Sequence, residues 1–418
     1  MNKLDFVRKH KKEKETMRAL ANAYMEVASL PVQQKKIELW KSLNAGEMKR
    51  PMLAIDQLPW HELNTNGELD LHTEDPVLRE IECYMRRTLY AWKYFPADMV
   101  VEPYIPIPMA YDGLCYGISI QEELAITDTH NDVMSHSYVN QLDTDEDLDK
   151  ITTMQLTHDV AETKRRMDIA SDLFKGIAKI RPKGHTFHLG LWDFISQVMG
   201  ISEIYYSLAD RPEYLHAIMR RLTDSTARGI KQANALGLHD SQCNICHCSY
   251  IYTHELLPAP GEGMAPVSQN AWAYGLAQPF TSVSPEVTRE FELPYISELA
   301  SYFGGIYYGC CDRLDDRMDI VKQIPNLRKL SCSPWSKLEM FAEQVGPSIT
   351  MSVKPNPAAL ASVSVDYDAI EKDLRNTVDV ARHNNVNLEI ILKDVSTVGY
   401  KPERLRKWSE IAARVVGM

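Results

Sequence analysis

The chain has no excess of positive charge and no long apolar run. Its 46 Lys and Arg are outnumbered by 57 Asp and Glu in 418 residues, a formal net charge of −11. Binding a phosphate backbone needs a concentrated basic surface, so no nucleic-acid partner is expected. The basic run Arg8 to Lys14 is broken by Glu13 and reads as a solvated helix face. No segment approaches 18 uninterrupted apolar residues, and Met1-Asn2-Lys3-Leu4-Asp5 leads into further charges rather than the apolar core of a signal peptide. The expectation is a cytoplasmic protein with no membrane partner. A disulfide framework is also missing: most of the eight cysteines are clustered, as Cys243, Cys246 and Cys248, as Cys310 and Cys311, and as Cys332. Such clusters suit a reducing compartment, where they suggest metal binding or catalysis. Eighteen methionines beside so many thiols would suit an anaerobe.

What is present is ample core-forming material, 44% hydrophobic and 25% charged, enough for one large α/β barrel or two ordinary domains. Residues 4–45 are rich in helix formers and predict two helices, stopped by Pro51. Met52-Leu53-Ala54-Ile55 is a short apolar run. Residues 76–94 carry helical periodicity through Leu78, Ile81, Met85, Leu89 and Trp92 and lead into an extended run, 99–109, read as the first core strand. A polar excursion, 111–151, includes Thr127 to Asp132 and Asp143 to Asp149, and can be a lid or solvated filler. Helices are predicted over 157–180 and 201–235, with an extended piece at 185–191. The irregular stretch 239–270, with Pro258, Pro260, Gly261 and Gly263, reads as an insertion over the face of the main fold.

From residue 271 the α/β rhythm is clear. Ser284-Pro285-Glu286 is a helix start, with Ser as N-cap and Pro at the first helical position. Strands follow at 306–310, 327–331, 349–353 and 386–392, separated by helices, one with Ile370, Leu374, Val378 and Ala381 on one face, and Leu405, Trp408, Ala412 and Val415 striping the last. This is the pattern of parallel βα units. The fold class expected is α/β, a (β/α)8 TIM barrel over 99–418 preceded by an N-terminal helical extension over 1–98. In such a barrel the residues just past each strand converge on one pocket: Cys310, Cys311 and Asp312; Ser333 and Trp335; Lys354 and Asn356; Lys393, Asp394 and Ser396.

The order of these motifs resembles the uroporphyrinogen decarboxylase superfamily, and within it the corrinoid-dependent methyltransferases that act as the first component of O-demethylases. The likeness runs from Val100 to the C-terminus and is best over Ser284-Pro285-Glu286 through Leu293-Pro294-Tyr295, Tyr308 to Asp312, Trp335, and Val353-Lys354-Pro355-Asn356-Pro357. Tyr308-Gly309-Cys310-Cys311-Asp312 is similar to the family's His-x-Cys-Gly zinc motif, with only Cys310 matching. Tyr308 stands where that motif has His, and Lys393-Asp394 lies near where thiol-methylating members supply their last Cys. The Arg-Gln-Ala-Gly-Arg signature of the decarboxylase branch has no match near Pro51 to Trp60, which counts against uroporphyrinogen decarboxylase activity itself.

The resemblance implies transfer of a methyl group from a small methylated compound, such as an aromatic methyl ether, to the cobalt of a separate corrinoid protein, because the chain lacks an Asp-x-His-x-x-Gly corrinoid-binding run. A Zn²⁺ ion would serve as Lewis acid, and Cys, His and carboxylates are its usual donors. Cys310 is the first ligand expected, with Cys311, His247 and Cys248 as further candidates. Strand alternation places Tyr308, Cys310 and Asp312 on one face and Cys311 on the other, unless the strand has already ended. Tyr308, Asp312, Lys393 and Asp394 are the expected catalytic groups, and Trp192, His188, Trp335, Lys354 and Asn356 the expected substrate-binding ones. Each has a plainer reading: free thiols pack in cores, histidines are satisfied there, aromatics fill barrels, and lysines pair with nearby carboxylates. A metal-independent decarboxylase using Lys354, Lys393 and Arg313, and a non-catalytic tetrapyrrole or corrinoid binder, remain open, as does a homodimer.

Overall fold

A computed structural model describes residues 11–126, 134–240, 244–256 and 266–418. Thr127 to Asp132, Cys243, and Pro258, Pro260, Gly261 and Gly263 lie outside the described residues. The centre is a parallel six-stranded sheet. In chain order its strands are β1 (Met52–Ile55), β4 (Trp272–Gly275), β5 (Gly305–Tyr308), β6 (Leu327–Cys332), β7 (Thr350–Val353) and β8 (Leu388–Leu392), arranged spatially as β1-β8-β7-β6-β5-β4. A second parallel pair, β2 (Tyr104–Pro108) with β3 (Lys179–Lys183), stands apart. The Asp98 amide donates to Leu53 O on β1, and a parallel bridge joins His188 to Tyr274 on β4, so both edges of the six-stranded sheet carry further extended chain. The architecture is α/β with a parallel central sheet and many helices, consistent with a TIM-barrel-like fold. No helix among the described residues is long and apolar enough to cross a membrane.

The sheet begins earlier than the sequence suggests. Met52–Ile55 pairs with β8 in register Met52 to Glu389 through Ile55 to Leu392, so a core strand lies within the stretch read as helical extension. Four residues are too few to show a period, which is why that run stayed unassigned. Around it, Lys11–Ala28, Pro31–Asn44 and Pro76–Tyr94 are helices, the last capped by the Asp75 carboxylate, which accepts from the amides of Val77 and Leu78. The predicted helix over 201–235 is two, Ile201–Asp210 and Pro212–Leu236, because Pro212 cannot continue the first. After Ser284 the helix is interrupted by a π-turn, Thr288–Glu292. Pro294 has no amide to give the Glu290 carbonyl, and the ladder relaxes by one residue.

The two faces of the sheet differ sharply. Leu53, Ile306, Tyr308, Leu330, Met351, Leu388 and Ile390 join the helices in one continuous apolar core. The alternate residues include a polar and equally buried row, Lys329, Ser331, Thr350, Ser352 and Glu389, beside the apolar Met52, Ala54 and Ile391. Lys329 and Glu389 meet the hairpin Ile245–Cys246 with Ser249–Tyr250, from the stretch read as an insertion over the face. It enters the interior instead. Lys329 Nζ donates to Glu389 Oε2 at 2.6 Å, Ser249 Oγ at 2.7 Å and Tyr250 O at 3.0 Å. Tyr250 stacks on Trp40 at 5.1 Å, and Asn44 donates to Tyr250 O and Tyr252 O. The helix Pro31–Asn44 thereby fastens the hairpin from its other side.

Breaking a buried ion pair leaves one charge without its counterion, whereas replacing both partners with apolar groups removes the desolvation cost as well. Lys329→Met alone is expected to cost about 3–5 kcal/mol, and Lys329→Met with Glu389→Leu to fall near neutral, read from urea unfolding midpoints. A second expectation concerns acid. Burial pushes the His239 imidazole down to about 4. Below about pH 6.5 the unfolded chain takes up a proton that the folded chain refuses, so this residue withdraws stability as pH falls from about 6.5 towards 4. Relative to His239→Leu, the wild type should lose up to about 1.4 kcal/mol more per pH unit in that window; equal slopes for the two proteins would contradict it.

Candidate metal centre

The site forms where β1, β5 and β8 end and the hairpin tip reaches them. Strand β5 stops at Tyr308, and Gly309 follows at φ +89°, a left-handed conformation in which a Cβ would also lie 2.7 Å from Leu314 Cδ1. That turn cancels the alternation expected of a strand: Cys310 and Cys311 come to the same place, with their Sγ atoms 3.7 Å apart. Asp312 locks the turn by accepting the Cys310 amide at 2.6 Å, and Ser331 Oγ donates to Cys310 O. From the end of β8, Asp394 at φ +55° brings Oδ2 within 3.6 Å of Cys311 Sγ. Ligand atoms of Cys310, Cys311 and Asp394 all lie within 4.8 Å of one another.

Lys393 and His247 complete the neighbourhood. Lys393 Nζ lies 2.7 Å from Cys310 Sγ and 3.0 Å from Asp394 Oδ2. Burial opposes its charge, but Cys310, Cys248 and Asp394 together raise its pKa above the ordinary lysine value. The Cys310 thiol is driven the other way: the hydrogen bond from Cys311 lowers its pKa against the opposing effect of burial, helped by His247 and Lys393, while Cys311 is held protonated. His247, also left-handed at φ +57°, sits at the hairpin tip, and its Nε2 is buried without a hydrogen-bond partner. Its ring stacks on Tyr274 at 5.0 Å, and His188 stacks on Tyr274 at 4.6 Å. The result is a layered aromatic wall beside the thiols.

Two thiols and a carboxylate suit a borderline-soft cation such as Zn²⁺, and the His247 nitrogen, buried without a partner, lies outside that three-residue group. Non-glycine residues at positive φ are uncommon, and here His247 and Asp394 share that conformation with Gln57, next to the half-buried Asp56 at the end of β1. Local strain of this kind collects at functional sites.

Other expected residues stand elsewhere. Tyr308 faces the helices, with its hydroxyl donating to Glu292 Oε1 at 3.1 Å, because Tyr307 takes the inward position on β5. Asp312 is buried, serves the turn, and has its carboxyl pushed up by burial. Trp192 is wholly buried between Phe280 and Phe291 and donates to Phe291 O, so it packs rather than lines the site. Trp335 is 62% exposed. Asn356 caps the short helix Ala358–Ala361 by accepting the Ala358 amide. Lys354 is buried against Tyr307 OH and Ser352 Oγ. Cys248 lies in the apolar group of Trp40 and Tyr250, where burial pushes its thiol up to about 11, and it is outside the three-residue donor group. His188 is at the wall, its imidazole pushed down to about 4 by burial.

Sequence reasoning missed Asp56, Tyr274 and Tyr307. The first follows Met52–Ile55, a run too short to show a period, so the strand-end rule had no strand to act on. Asp193 accepts from the Gln278 amide and side chain, and burial pushes its carboxyl up to about 7, with Asp312 adding to the shift. The buried Glu292 lies near enough to Asp312 and Asp193 for both charges to act on it.

Purified chain equilibrated with Zn²⁺ and desalted should retain about one equivalent by elemental analysis. Cys310→Ala and Asp394→Ala should lose it, and Cys248→Ala should keep it.

No family model matches the chain, and no curated protein sequence does. A solved structure described as a methyltransferase from Methanosarcina mazei is similar over 90% of this chain and 97% of its own, with a TM-score of 0.49 and 11% sequence identity. A likeness of that depth says nothing about chemistry.

Proposed function

We propose that this chain is a zinc-dependent methyltransferase that takes a methyl group from a small methylated compound, an aromatic methyl ether among the candidates, and passes it to the cobalt of a separate corrinoid protein. The observation that carries the reading is the donor group of Cys310, Cys311 and Asp394 at the strand ends, with the unpartnered Nε2 of His247 beside it. The sequence resemblance to the corrinoid-dependent branch supplies the reaction class. In this reading the sheet and the β2–β3 pair close as a (β/α)8 barrel, β1 included, with the helices before residue 98 as its cap. The protein works in the cytoplasm of an anaerobe, as a monomer or homodimer, and receives its corrinoid on a partner.

Cys310, Cys311 and Asp394 would hold the ion, with His247 as the fourth donor or the neighbour of an open position. Bound there, Zn²⁺ would supply Lewis acidity that makes the methyl-bearing oxygen or nitrogen a better leaving group. The remaining work falls to side chains. Lys393 keeps a positive charge against Cys310 Sγ, so that donor persists as thiolate in a buried setting. His188, Tyr274 and His247 offer flat apolar faces against which an aromatic ring can lie. The interior below is filled by the hairpin and by the Lys354, Tyr307 and Ser352 network, which keeps bulk water from the thiols from that side.

No observation favours the decarboxylase alternative. The cations it needs are engaged internally, Lys354 with Tyr307 and Ser352, Lys393 with Cys310 and Asp394, and Arg313 with Asp315 at 3.0 Å. Mixing the purified protein with a reduced cobalt(I) corrinoid protein and a panel of methoxylated compounds should give methylated corrinoid, followed by its absorbance. Cys310→Ala should lower the rate by at least roughly a hundredfold, the scale of losing a catalytic electrophile. No methylation with any donor, together with no bound metal, would sink the proposal.

A further inference from the structure

Cys310 and Cys311 are neighbours in sequence whose sulfurs also meet in space, which adjacent residues on a strand do not do. Gly309 makes this possible by turning the chain at φ +89°, and Asp312 holds the turn through the Cys310 amide. The sulfurs are 3.7 Å apart, and Lys393 Nζ stands 2.7 Å from Cys310 Sγ. No disulfide joins any of the cysteines that the structure describes. From this geometry we infer that Cys310 and Cys311 are a redox-modification site, closing to a vicinal disulfide when a small-molecule disulfide such as oxidised glutathione is in excess and reopening when thiol is.

The step balances without any other reagent. Cys310 thiolate attacks the small disulfide, forms a mixed disulfide and releases one thiol. Cys311 then gives up its proton and attacks Cys310 Sγ, forming the intramolecular bond and releasing the second thiol. Two protein thiols lose two electrons, and the oxidant is reduced to two thiols. Consecutive Cα atoms are about 3.8 Å apart, short of the roughly 4.4–6.8 Å that disulfides span at ease. The ring is therefore strained and easily reduced, the property of a regulatory bond rather than a structural one. Closure consumes both sulfur donors, so the oxidised protein cannot hold the metal. That consequence rests on the function proposed above; the bond itself does not.

The tryptic fragment 290–313 contains Cys310 and Cys311 and no other cysteine. Reduced, chelator-treated protein is incubated across ratios of glutathione to oxidised glutathione, quenched with acid and digested, and the fragment is weighed. The expected product is the fragment lighter by two hydrogens and carrying no adduct, restored by excess glutathione, while the exposed Cys115 takes up glutathione. Cys311→Ser should instead retain glutathione on Cys310. A stable adduct on the wild-type fragment, or two free thiols under conditions that modify Cys115, would overturn the inference. In parallel, Zn²⁺ retention should fall at least roughly tenfold on oxidation, because a metal needs the free thiolates. If the reduced protein holds no Zn²⁺, the metal reading fails while the fragment mass still decides the disulfide.

Discussion

The buried contact between Lys329, Glu389 and Ser249 is the constraint from which the rest of the interior follows. An ammonium taken out of water is tolerable only with its charge and hydrogen bonds met, and here a carboxylate, a hydroxyl and a backbone carbonyl meet them. Two of those partners belong to the hairpin. The hairpin is thus pinned to β6 and β8, and its tip, two residues before Ser249, is His247. The position of an imidazole beside Cys310 is a consequence of an ion pair deeper in the sheet.

The helices and the later strands were legible because each obeys a period. The stripe Ile370, Leu374, Val378 and Ala381 is buried as read, and the strands β5 to β8 fall where short apolar runs end in polar residues. The cluster at Cys310 was partly legible for the same reason, since residues past a strand converge. The fate of Cys311 was not, because alternation holds only while the strand does. A single glycine at positive φ reversed the outcome, and nothing in Tyr-Gly-Cys-Cys-Asp states where pairing stops. Tyr308 and Tyr307 exchanged roles for a related reason: the two are chemically alike, and only the phase of the pleat separates the residue facing the helices from the one facing the interior.

The hairpin was the least legible element. Its residues, Ile245 to Tyr250, are short, cysteine-rich and set in an irregular stretch, so they carry no period to show that they are core. Burial of polar strand faces was a usable signal in hindsight. Lys329, Ser331, Thr350, Ser352 and Glu389 alternate with apolar residues on strands packed against helices, and a buried polar row implies that something polar must sit opposite.

The hairpin also imposes an order on assembly. Its partner Lys329 is synthesised some eighty residues later, and Glu389 sixty residues after that. Until the last strand emerges, the Lys329 ammonium can be buried only without its counterion, so it stays in water and the interior lacks one wall. Such a chain has a late, all-or-none closure, and truncation close to the C-terminus removes the step that makes every earlier element worth keeping.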